Sequence, residues 1–488
     1  MKVVVFDDDP TGSQTLHSCP LLLDTSAEVL RRGLAHPSPL LFVLANTRAL
    51  EPVAAQQRVR QIGHNLSQAL QQIAAGDPEL AERLKPLLLV SRGDSTLRGH
   101  FPLELEAIEA TWGQLPAPWG GPVDARLLVP AFLPGGRTTV GGIHRLNGVP
   151  VHTTAFARDR LFGYTSSDLA AYIETKSGGR VPAASVQRLS LAELDAGCDR
   201  HGQPGGAGYE ALCTRLAQLA PGAWVVVDAE RPQQLSALGA AVRELMAPAA
   251  LERWGRPRRF LFQAAASLLN GLVELPAQPL HATDLAALRR CDPAGVPLPG
   301  LVLVGSHVPL ADAQLAQLLA AEPGCHLVEI DVVKVARVLE GPAPAELLAS
   351  LRAAWLQQLR QVIAAGQIPV LATSRGELPC RSSAERRRLG LELAGLMAQL
   401  VGALAPELGF VISKGGITSH TLLADGLGCR SVELQGQLLP GLSLVLAGEL
   451  PVLTFPGNLG ERQTLQQALV LMQATPVPPG PAPQRPGC

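Results

Sequence analysis

The stretch "VVVFDDDPTGSQT", residues 3–15, joins an apolar run directly to three consecutive aspartates. A short apolar run bounded by a Pro/Gly turn predicts a buried β-strand that ends near Phe6. Adjacent carboxylates repel one another, so a metal ion, a cationic side chain or a polyol ligand must compensate for Asp7, Asp8 and Asp9. Because ligands of open α/β sheets bind beyond the carboxyl ends of the strands, we expect these aspartates at a functional site.

Short apolar runs of this kind alternate with longer helical patterns along the whole chain. Helical spacing is clear in segments such as 53–75 and 384–401. The alternation predicts an α/β protein of two domains, each a largely parallel sheet flanked by helices, with a cleft between them. The predicted strands are 3–6, 40–45, 87–91, 126–129, 224–228, 260–262, 301–304, 326–330, 368–373, 410–413, 431–434 and 452–455.

The domain limits are predicted from length and composition. A chain of 488 residues has the length of two ordinary domains. Charged residues and prolines replace the apolar pattern in "PAALERWGRPRR", residues 248–259, which we interpret as a hinge. The N-terminal domain is then 1–247 and the C-terminal domain 260–474. The proline-rich tail, 475–488, is predicted to be disordered.

Charge and composition exclude several function classes. Lys plus Arg is 41 and Asp plus Glu is 42, a net charge of -1 that does not favour nucleic-acid binding. No apolar run reaches the roughly 20 residues that span a bilayer. The eight cysteines form no C-x-x-C pair, so they indicate neither a zinc site nor a redox motif, and no metal ligand is predicted. We expect a cytoplasmic protein with reduced thiols and no membrane partner.

Two further polar loops in the first half follow predicted strands. They are "SRGDSTLRGH", residues 91–100, and "PAFLPGGRTTVGG", residues 130–142. A single aspartate or arginine after a strand is usually a turn or helix-cap residue. Three such loops at one sheet edge, however, favour a pocket for a carboxylate or phosphate ligand. Its predicted lining residues are Asp8, Asp9, Asp94, Arg98 and Arg137.

The second half carries glycine loops after three predicted strands. These are "LVLVGSHVP" (301–309), "FVISKGGITSHTLL" (410–423) and "PVLTFPGNLGERQTL" (451–465). Glycine lets the backbone approach an anion closely, so together the loops favour a nucleotide phosphate site. Neither G-x-x-x-x-G-K-[ST] nor G-x-G-x-x-G is present, so neither standard phosphate fingerprint applies.

The opening stretch also fits a competing interpretation. An apolar strand followed by D-x-D-x-T resembles the first motif of haloacid-dehalogenase-like phosphatases. In that family Asp7 would be the nucleophile and Asp9 the acid/base. The late acidic motif that holds Mg²⁺ is poorly matched, because Arg98 stands four residues after Asp94. This phosphatase alternative also leaves the glycine loops of the second half without a role.

The combined motifs resemble those of the four-carbon acid sugar kinase family, over roughly residues 3–471. The most specific stretches are "DDPTGS" (8–13), "DSTLRG" (94–99), "GRTTVGGIHRLNGVPVHTTAFARD" (136–159), "GS" (305–306), "KGGITS" (414–419) and "FPGNLG" (455–460). The resemblance implies a sugar-acid-binding domain followed by a nucleotide-binding domain. It also implies transfer of phosphate from ATP, with Mg²⁺, to the terminal hydroxyl of threonate, erythronate or 3-oxo-tetronate.

The resemblance also implies roles for individual residues. Asp94 or Asp9 would accept the hydroxyl proton, with Arg98 as a third catalytic residue, and Asp8 and Arg137 would help to bind the acid. The nucleotide would lie along Ser306, Gly415, Gly416, Thr418, Gly457, Asn458 and Gly460.

This chain also departs from the family pattern. Asp7, Ile417 and His420 differ from the usual residues, which suggests a divergent branch with an open substrate identity. A catalytically inactive ligand-binding or effector protein of the same fold is a third alternative, and a homodimer stays open.

Overall fold

The computed structural model describes residues 1–9, 16–273, 275–376 and 382–474. The expected disordered tail and residues 10–13 of the "DDPTGS" motif lie outside the described residues. Over the described part, the chain is a mixed α/β protein of largely parallel sheets and covering helices, as the alternation of patterns predicts.

The described strands are β1 (Lys2–Asp7), β2 (Cys19–Leu22), β3 (Leu40–Leu44), β4 (Leu87–Arg92), β5 (Ala125–Val129), β6 (Arg137–Val140), β7 (Ile143–Leu146), β8 (Val149–Pro150), β9 (Gln187–Leu189), β10 (Ala223–Val227), β11 (Phe260–Ala264), β12 (Gly300–Val304), β13 (Cys325–Ile330), β14 (Ile368–Thr373), β15 (Phe410–Lys414), β16 (Ser431–Leu439), β17 (Leu442–Ala447) and β18 (Leu450–Phe455). Every predicted strand coincides with one of these to within a residue at its start or end, or forms part of a longer one. The short strands β2 and β6–β9 and the six-residue strand β17 were not predicted.

The described helices are α1 (Ala27–Ala35), α2 (Pro52–Gly76), α3 (Pro78–Arg83), α4 (Leu103–Gln114), α5 (Leu169–Lys176), α6 (Leu191–Ala196), α7 (Gly206–Ala217), α8 (Pro232–Met246), α9 (Ala250–Trp254), α10 (Ala266–Leu272), α11 (Ala282–Ala286), α12 (Pro309–Ala321), α13 (Val332–Leu339), α14 (Pro344–Ala364), α15 (Ser383–Leu404), α16 (Gly416–Thr421) and α17 (Thr464–Gln473). The predicted helical segments 53–75 and 384–401 are α2 and α15. Within the described residues, one helical stretch, 388–407, is long and apolar enough to cross a membrane, as many core helices of soluble proteins also are.

The first compact unit consists of residues 1–277 together with 430–434. Its sheet has the order β2-β3-β1-β4-β11-β5-β10-β9, and every neighbouring pair is parallel. Residues 431–434 of β16 pair antiparallel with β2 at one edge. The central strands are buried along their length, which is why they consist of nearly continuous Val, Leu and Phe. Their carboxyl ends lie along one edge of the sheet.

A small antiparallel sheet of β6, β7 and β8 follows β5. We call residues 137–176, from the start of β6 to the end of α5, the insert. Its β6–β7 turn is fixed by Asp228, which follows β10 and accepts hydrogen bonds from the amides of Gly141 and Gly142, both at 2.8 Å. Both glycines have positive φ angles, which a side chain would disfavour.

The second compact unit consists of residues 278–429 and the chain from 435 onward. Strands β13-β14-β12-β15-β18 form a parallel sheet, and β17 continues it antiparallel to β18. Its core includes Val302, Phe410 and Phe455 of the sheet, with Leu318 of α12 and Leu469 of α17 packed on them. The glycine loops again follow the carboxyl ends of adjacent parallel strands.

The boundary between the units differs from the predicted one. Residues 248–259 lie inside the first unit, where α9 forms and where Arg256 donates to Asp124 at 3.0 Å. Strand β11 then inserts between β4 and β5, in the middle of the first sheet. The first unit therefore ends near 277 rather than 247. A locally polar segment suggested a hinge, but the pairing of β11 with strands more than a hundred residues earlier leaves no local signal.

Candidate active site

The three aspartates at the end of β1 are matched by an arginine that follows β3. The Arg48 guanidinium forms a fork on Asp8, with Nε to Oδ2 at 3.0 Å and Nη2 to Oδ1 at 2.6 Å. Its Nη1 also donates to Asp9 Oδ2 at 3.3 Å. Because the side chains lie at neighbouring strand ends, the bidentate geometry holds the carboxylates at fixed positions.

A second arginine, the last residue of β4, compensates for the innermost carboxylate. Arg92 Nη1 lies 3.3 Å from Asp7 Oδ1 and 3.4 Å from Asp8 Oδ1. Asp7 is fully buried, and this burial raises its pKa to about 7 in spite of the nearby Arg92 charge. Burial also raises the pKa of Asp8, while Arg48 and Arg92 oppose that rise. Cationic side chains therefore provide the compensation that the aspartate triplet requires.

The loop after β4 holds Asp94 in its ionised form. Arg98 Nε donates to Asp94 Oδ2 at 2.6 Å, and the Thr96 hydroxyl donates to the same oxygen. Burial would raise the pKa of Asp94, but the charges of Arg48 and Arg98 and these two hydrogen bonds hold it well below its usual range. The Arg98 guanidinium also lies over the Phe156 ring of the insert, 5.0 Å from its centre.

Arg137, the first residue of β6, lies near this group. It is 9% exposed, its Nη1 donates to the Gly135 carbonyl at 2.8 Å, and it stacks on Phe132. Burial lowers its pKa, while the charge of Asp94 acts in the opposite direction. Its Nε is buried and has no hydrogen-bond partner among the described residues. Arg137 thus keeps one buried donor without a partner among the described residues.

These side chains surround a pocket at the carboxyl edge of the first sheet. Asp8, Asp94 and Arg98 line it, and Asp9 and Arg137 lie beside this lining. Glu104, near the start of α4, also lines the pocket and is buried. Burial and the charge of Asp8 raise the pKa of Glu104 to about 7.

All five predicted sugar-acid residues therefore lie at one strand edge, whereas the sequence interpretation missed Arg48, Arg92 and Glu104. Arg48 belongs to no glycine-bearing loop, so its signal was only its position just after a strand. Arg92 was hidden within the strand itself, and Glu104 within a helix.

In the second unit, three loops meet where β12, β15 and β18 end. The Gly305 amide donates to the Lys414 carbonyl at 3.1 Å, and the Gly415 amide donates to the Phe455 carbonyl at 2.8 Å. A Cβ added to Gly305 would overlap Thr418 Oγ1, and one added to Gly457 would overlap Ser306 Oγ. Gly415 has a φ of 125°. A side chain at Gly305 or Gly457 would therefore collide with a side chain of a neighbouring loop, and the positive φ of Gly415 disfavours a side chain there.

The predicted nucleotide residues divide into two groups. Ser306, Gly415, Thr418 and Gly457 form this three-loop junction, and Gly416 begins α16 beside it. Asn458 and Gly460 follow Gly457 on the same loop, where a Cβ on Gly460 would meet Thr464 instead of the other two loops. Gln314 of α12 supports this part of the loop by donating to the Leu459 carbonyl at 3.1 Å and to the Glu461 carbonyl at 2.7 Å.

A buried lysine underlies the junction. Lys414, the last residue of β15, is fully buried; its Nζ donates to the Pro456 carbonyl at 3.0 Å and lies 3.6 Å from the centre of the Phe455 ring. Burial lowers its pKa to about 7. Among the described residues Lys414 has no carboxylate partner, so an anion bound nearby, such as a phosphate group, would favour its charged form.

The geometry does not support the phosphatase alternative. Asp7, its required nucleophile, is 0% exposed and its Oδ1 faces Arg92. The ion pair between Arg98 and Asp94 places a cation where that chemistry needs a metal ligand. Among the described residues there is also no group of three or more His, Cys, Asp or Glu side chains that could hold a metal ion.

Each of the two compact units matches a known protein-domain family. Residues 3–272 match the family of the sugar-binding N-terminal domain, and residues 301–465 match that of the nucleotide-binding C-terminal domain. The first match ends within a few residues of the structural boundary near 277. Two solved structures have a similar fold: a Salmonella typhimurium LT2 protein, at TM-score 0.64 and 16% identity over 97% of this chain and 100% of that one, and a Haemophilus influenzae protein, at 0.54 and 15% over 96% and 100%.

Several curated relatives are named as kinases of four-carbon acids. The chain is 26% identical to a D-threonate kinase of Salmonella typhimurium, over 97% of this chain and 99% of that protein. It is 29% identical to a D-threonate kinase of Cupriavidus necator, over 80% and 81%. A D-erythronate kinase of Heliobacterium modesticaldum is 26% identical over 40% and 41%. With both domain families matched in order, the chain belongs to the four-carbon acid sugar kinase family of two-domain sugar-acid kinases.

Proposed function

We propose that the chain transfers the terminal phosphate of ATP to the terminal hydroxyl of a four-carbon sugar acid of the threonate, erythronate or 3-oxo-tetronate type. The observation that carries this proposal is Asp94, held ionised by Arg98 and Thr96 in a pocket at the carboxyl edge of the first sheet. Relatives named D-threonate and D-erythronate kinase support the substrate class.

The pocket supplies both signs of charge that a polyol acid requires. Arg98 or Arg137 would pair with the substrate carboxylate, since a planar guanidinium suits that group. Asp8 and Asp9, fixed by Arg48, would accept hydrogen bonds from substrate hydroxyls. This division places the anionic end of the acid near the arginines and its hydroxyls near the aspartates.

Asp94 is the first candidate for the carboxylate that accepts a hydrogen bond, and later the proton, from the reacting hydroxyl. Asp9 is the second candidate. Because the pKa of Asp94 lies well below its usual range, it is ionised at neutral pH but only weakly basic. Phosphoryl transfer depends more on positioning and charge neutralisation than on strong base catalysis. We therefore assign Asp94 the role of orienting the hydroxyl and accepting its proton late in the transfer.

The three-loop junction of the second unit is the candidate phosphate site for ATP. A Cβ at Gly305 or Gly457 would collide with a neighbouring loop, so the backbone there stays open to an anion. Lys414, whose burial lowers its pKa to about 7, would supply a positive charge beside the junction once a phosphate is bound. Mg²⁺ bound to ATP keeps mainly phosphate and water ligands, so it requires no protein metal cluster. The hydroxyls of Ser306 and Thr418 are the side-chain oxygens at the junction that could reach such an ion. The ion would neutralise phosphate charge during the transfer.

A panel of four-carbon acids tests this proposal and its alternatives. The purified chain is mixed with ATP, Mg²⁺ and one acid at a time, and ADP is measured with a coupled assay. A kinase releases ADP only with its acid. A phosphatase releases phosphate from sugar phosphates without ATP, and an inactive effector does neither but shows a thermal shift with its ligand. ADP release that is independent of every acid would reject the proposed function.

A further inference from the structure

Three consecutive carbonyl groups of the loop after β4 are held by buried side chains of the insert. His144 Nε2 lies 2.8 Å from the Ser95 carbonyl oxygen. Tyr164 Oη donates to the Thr96 carbonyl at 2.7 Å, and Tyr172 Oη donates to the Leu97 carbonyl at 3.0 Å. Asp94 and Arg98 stand on either side of these three residues in the chain. The loop that carries the candidate catalytic aspartate is thus tied to the insert at every residue between them.

The histidine contact has a defined direction. The Ser95 carbonyl can only accept, so Nε2 of His144 carries the proton. Nδ1 then accepts from the Thr139 hydroxyl, 3.0 Å away. His144 is fully buried, and this burial lowers its pKa to about 4, which keeps the ring neutral at the pH of turnover. His144 therefore stays neutral, with its proton on Nε2, and keeps its hydrogen bond to the Ser95 carbonyl.

The backbone of the loop explains why it needs such support. Leu97 has a φ of 65°, a left-handed conformation that is unfavourable for a residue with a side chain. Such residues persist only where surrounding contacts fix them. The three hydrogen bonds supply those contacts.

We propose that the insert, through the hydroxyl groups of Tyr164 and Tyr172, is a positioning device that fixes the 94–98 loop and thereby sets the affinity for the sugar acid. Tyr172 is itself a lining residue of the pocket, but its hydroxyl, like that of Tyr164, donates to a loop carbonyl and not to the pocket. They are positioning residues that act through Asp94 and Arg98. This inference rests on the proposed function for its kinetic effect, but its structural part does not.

The three tyrosines of the chain provide a matched experiment. Tyr164→Phe and Tyr172→Phe each remove one loop hydrogen bond and keep the rings, which pack on each other and, for Tyr172, on Phe101. Tyr209→Phe makes the same chemical change far along the chain, where Oη donates to Glu244 at 3.1 Å. Any effect specific to the loop must appear in the first two variants and be absent from the third.

The kinetic readout is the KM for each substrate. Loss of one such hydrogen bond, worth about 0.5–1.5 kcal/mol, should raise the KM for the sugar acid roughly 2- to 10-fold, and the double variant should show more. The KM for ATP should change less than about twofold, since the junction in the second unit is untouched. A parallel loss for both substrates, or an unchanged KM for the acid, would overturn the proposal.

Hydrogen exchange of the free protein tests the structural part without turnover. The amides of residues 95–99 should exchange faster in Tyr164→Phe and Tyr172→Phe than in the wild type and Tyr209→Phe. Equal exchange in all four proteins would show that the hydroxyls do not fix the loop. If no acid supports ADP formation, the proposed function fails, and this exchange measurement still decides whether the insert positions the loop.

Discussion

At the scale of the residue, the aspartate triplet is stable because two arginines from neighbouring strand ends neutralise it. Arg48 forms a fork on Asp8 and reaches Asp9, while Arg92 faces Asp7 and Asp8 from within the sheet. Replacing one member of a buried ion pair leaves the other charged and unpaired, which is far more costly than the pair itself is favourable. The triplet and its arginines must therefore be treated as one unit.

Arg48→Lys tests this unit. A lysine cannot reproduce the fork, so we expect the free energy of unfolding to fall by about 1–3 kcal/mol and turnover of the acid to fall at least about 10-fold. Arg126→Lys is the control, because Arg126 forms an equivalent fork on Glu109 and its side chain is likewise 20% exposed. Urea unfolding and steady-state kinetics of both variants measure the effects. Equal loss of turnover in the two variants would contradict a specific role for Arg48.

Glu104→Gln tests the buried carboxyl of the pocket. Burial raises the Glu104 pKa from 4.5 to about 7, so the folded protein binds a proton there that the unfolded chain has released. This contribution to stability is fully present below the unfolded pKa and is lost as pH rises through about 7. Relative to wild type, Glu104→Gln should therefore gain about 1–3 kcal/mol of unfolding free energy between pH 5 and pH 8. Glu106→Gln, on the same helix but more exposed, is the control variant, and an equal gain in both variants would contradict a specific effect of Glu104.

At the scale of the element, the loops at strand ends explain what the sequence predicted and what it missed. Continuous apolar runs such as β1 and β14 were predicted because both faces of a parallel strand are buried. The antiparallel strand β6 has a single apolar residue and β8 is only two residues long, so no apolar run marked them. The glycine loops were recognisable because glycines follow three strands, and at Gly305 and Gly457 a Cβ would collide with a neighbouring loop. Arg48 and Tyr164 were not, because their importance arises from partners far away in the chain.

Gly305→Ala tests the three-loop junction. The added Cβ would overlap the β-branched Thr418 side chain, which cannot move away freely. We expect the KM for ATP to rise about 5- to 50-fold, as overpacking of 1–2 kcal/mol or more implies, with little change in the KM for the acid. Gly390→Ala of α15 is the control, since a Cβ there meets no atom within 4 Å. An unchanged KM for ATP in Gly305→Ala would remove the junction from the nucleotide site.

At the scale of the whole molecule, no single boundary in the sequence separates the two compact units. The first unit needs residues 430–434, which add an antiparallel strand to β2 and bring Arg430 to within 2.8 Å of Asp24. A late segment that completes an early sheet carries no local marker, which is why composition placed the boundary at 248–259. The number of domains and their order could be predicted from the sequence, but the contribution of residues 430–434 to the first sheet could not.

A chain truncated after residue 277 tests whether residues 430–434 stabilise the first unit. It lacks the strand that covers the β2 edge, so its open edge should promote self-association. We expect a lower midpoint of thermal unfolding and larger species in size-exclusion chromatography than for the full chain. Adding a peptide of residues 428–436 should partly reverse both effects. A truncated chain that is monomeric and unfolds at the temperature of the first transition of the full chain would contradict this description.

The most direct test of the central claim is the rate of acid-dependent ADP formation in Asp94→Asn, with Asp77→Asn as its control. Asn keeps the shape of Asp94 but removes its charge, whereas Asp77 caps α3, where Asn serves equally well. The account predicts that Asp94→Asn still folds, with a lower free energy of unfolding because Arg98 loses its ionised partner, and loses at least about 100-fold in kcat/KM for the acid, while Asp77→Asn stays close to wild type. Near-normal turnover in Asp94→Asn would contradict the account.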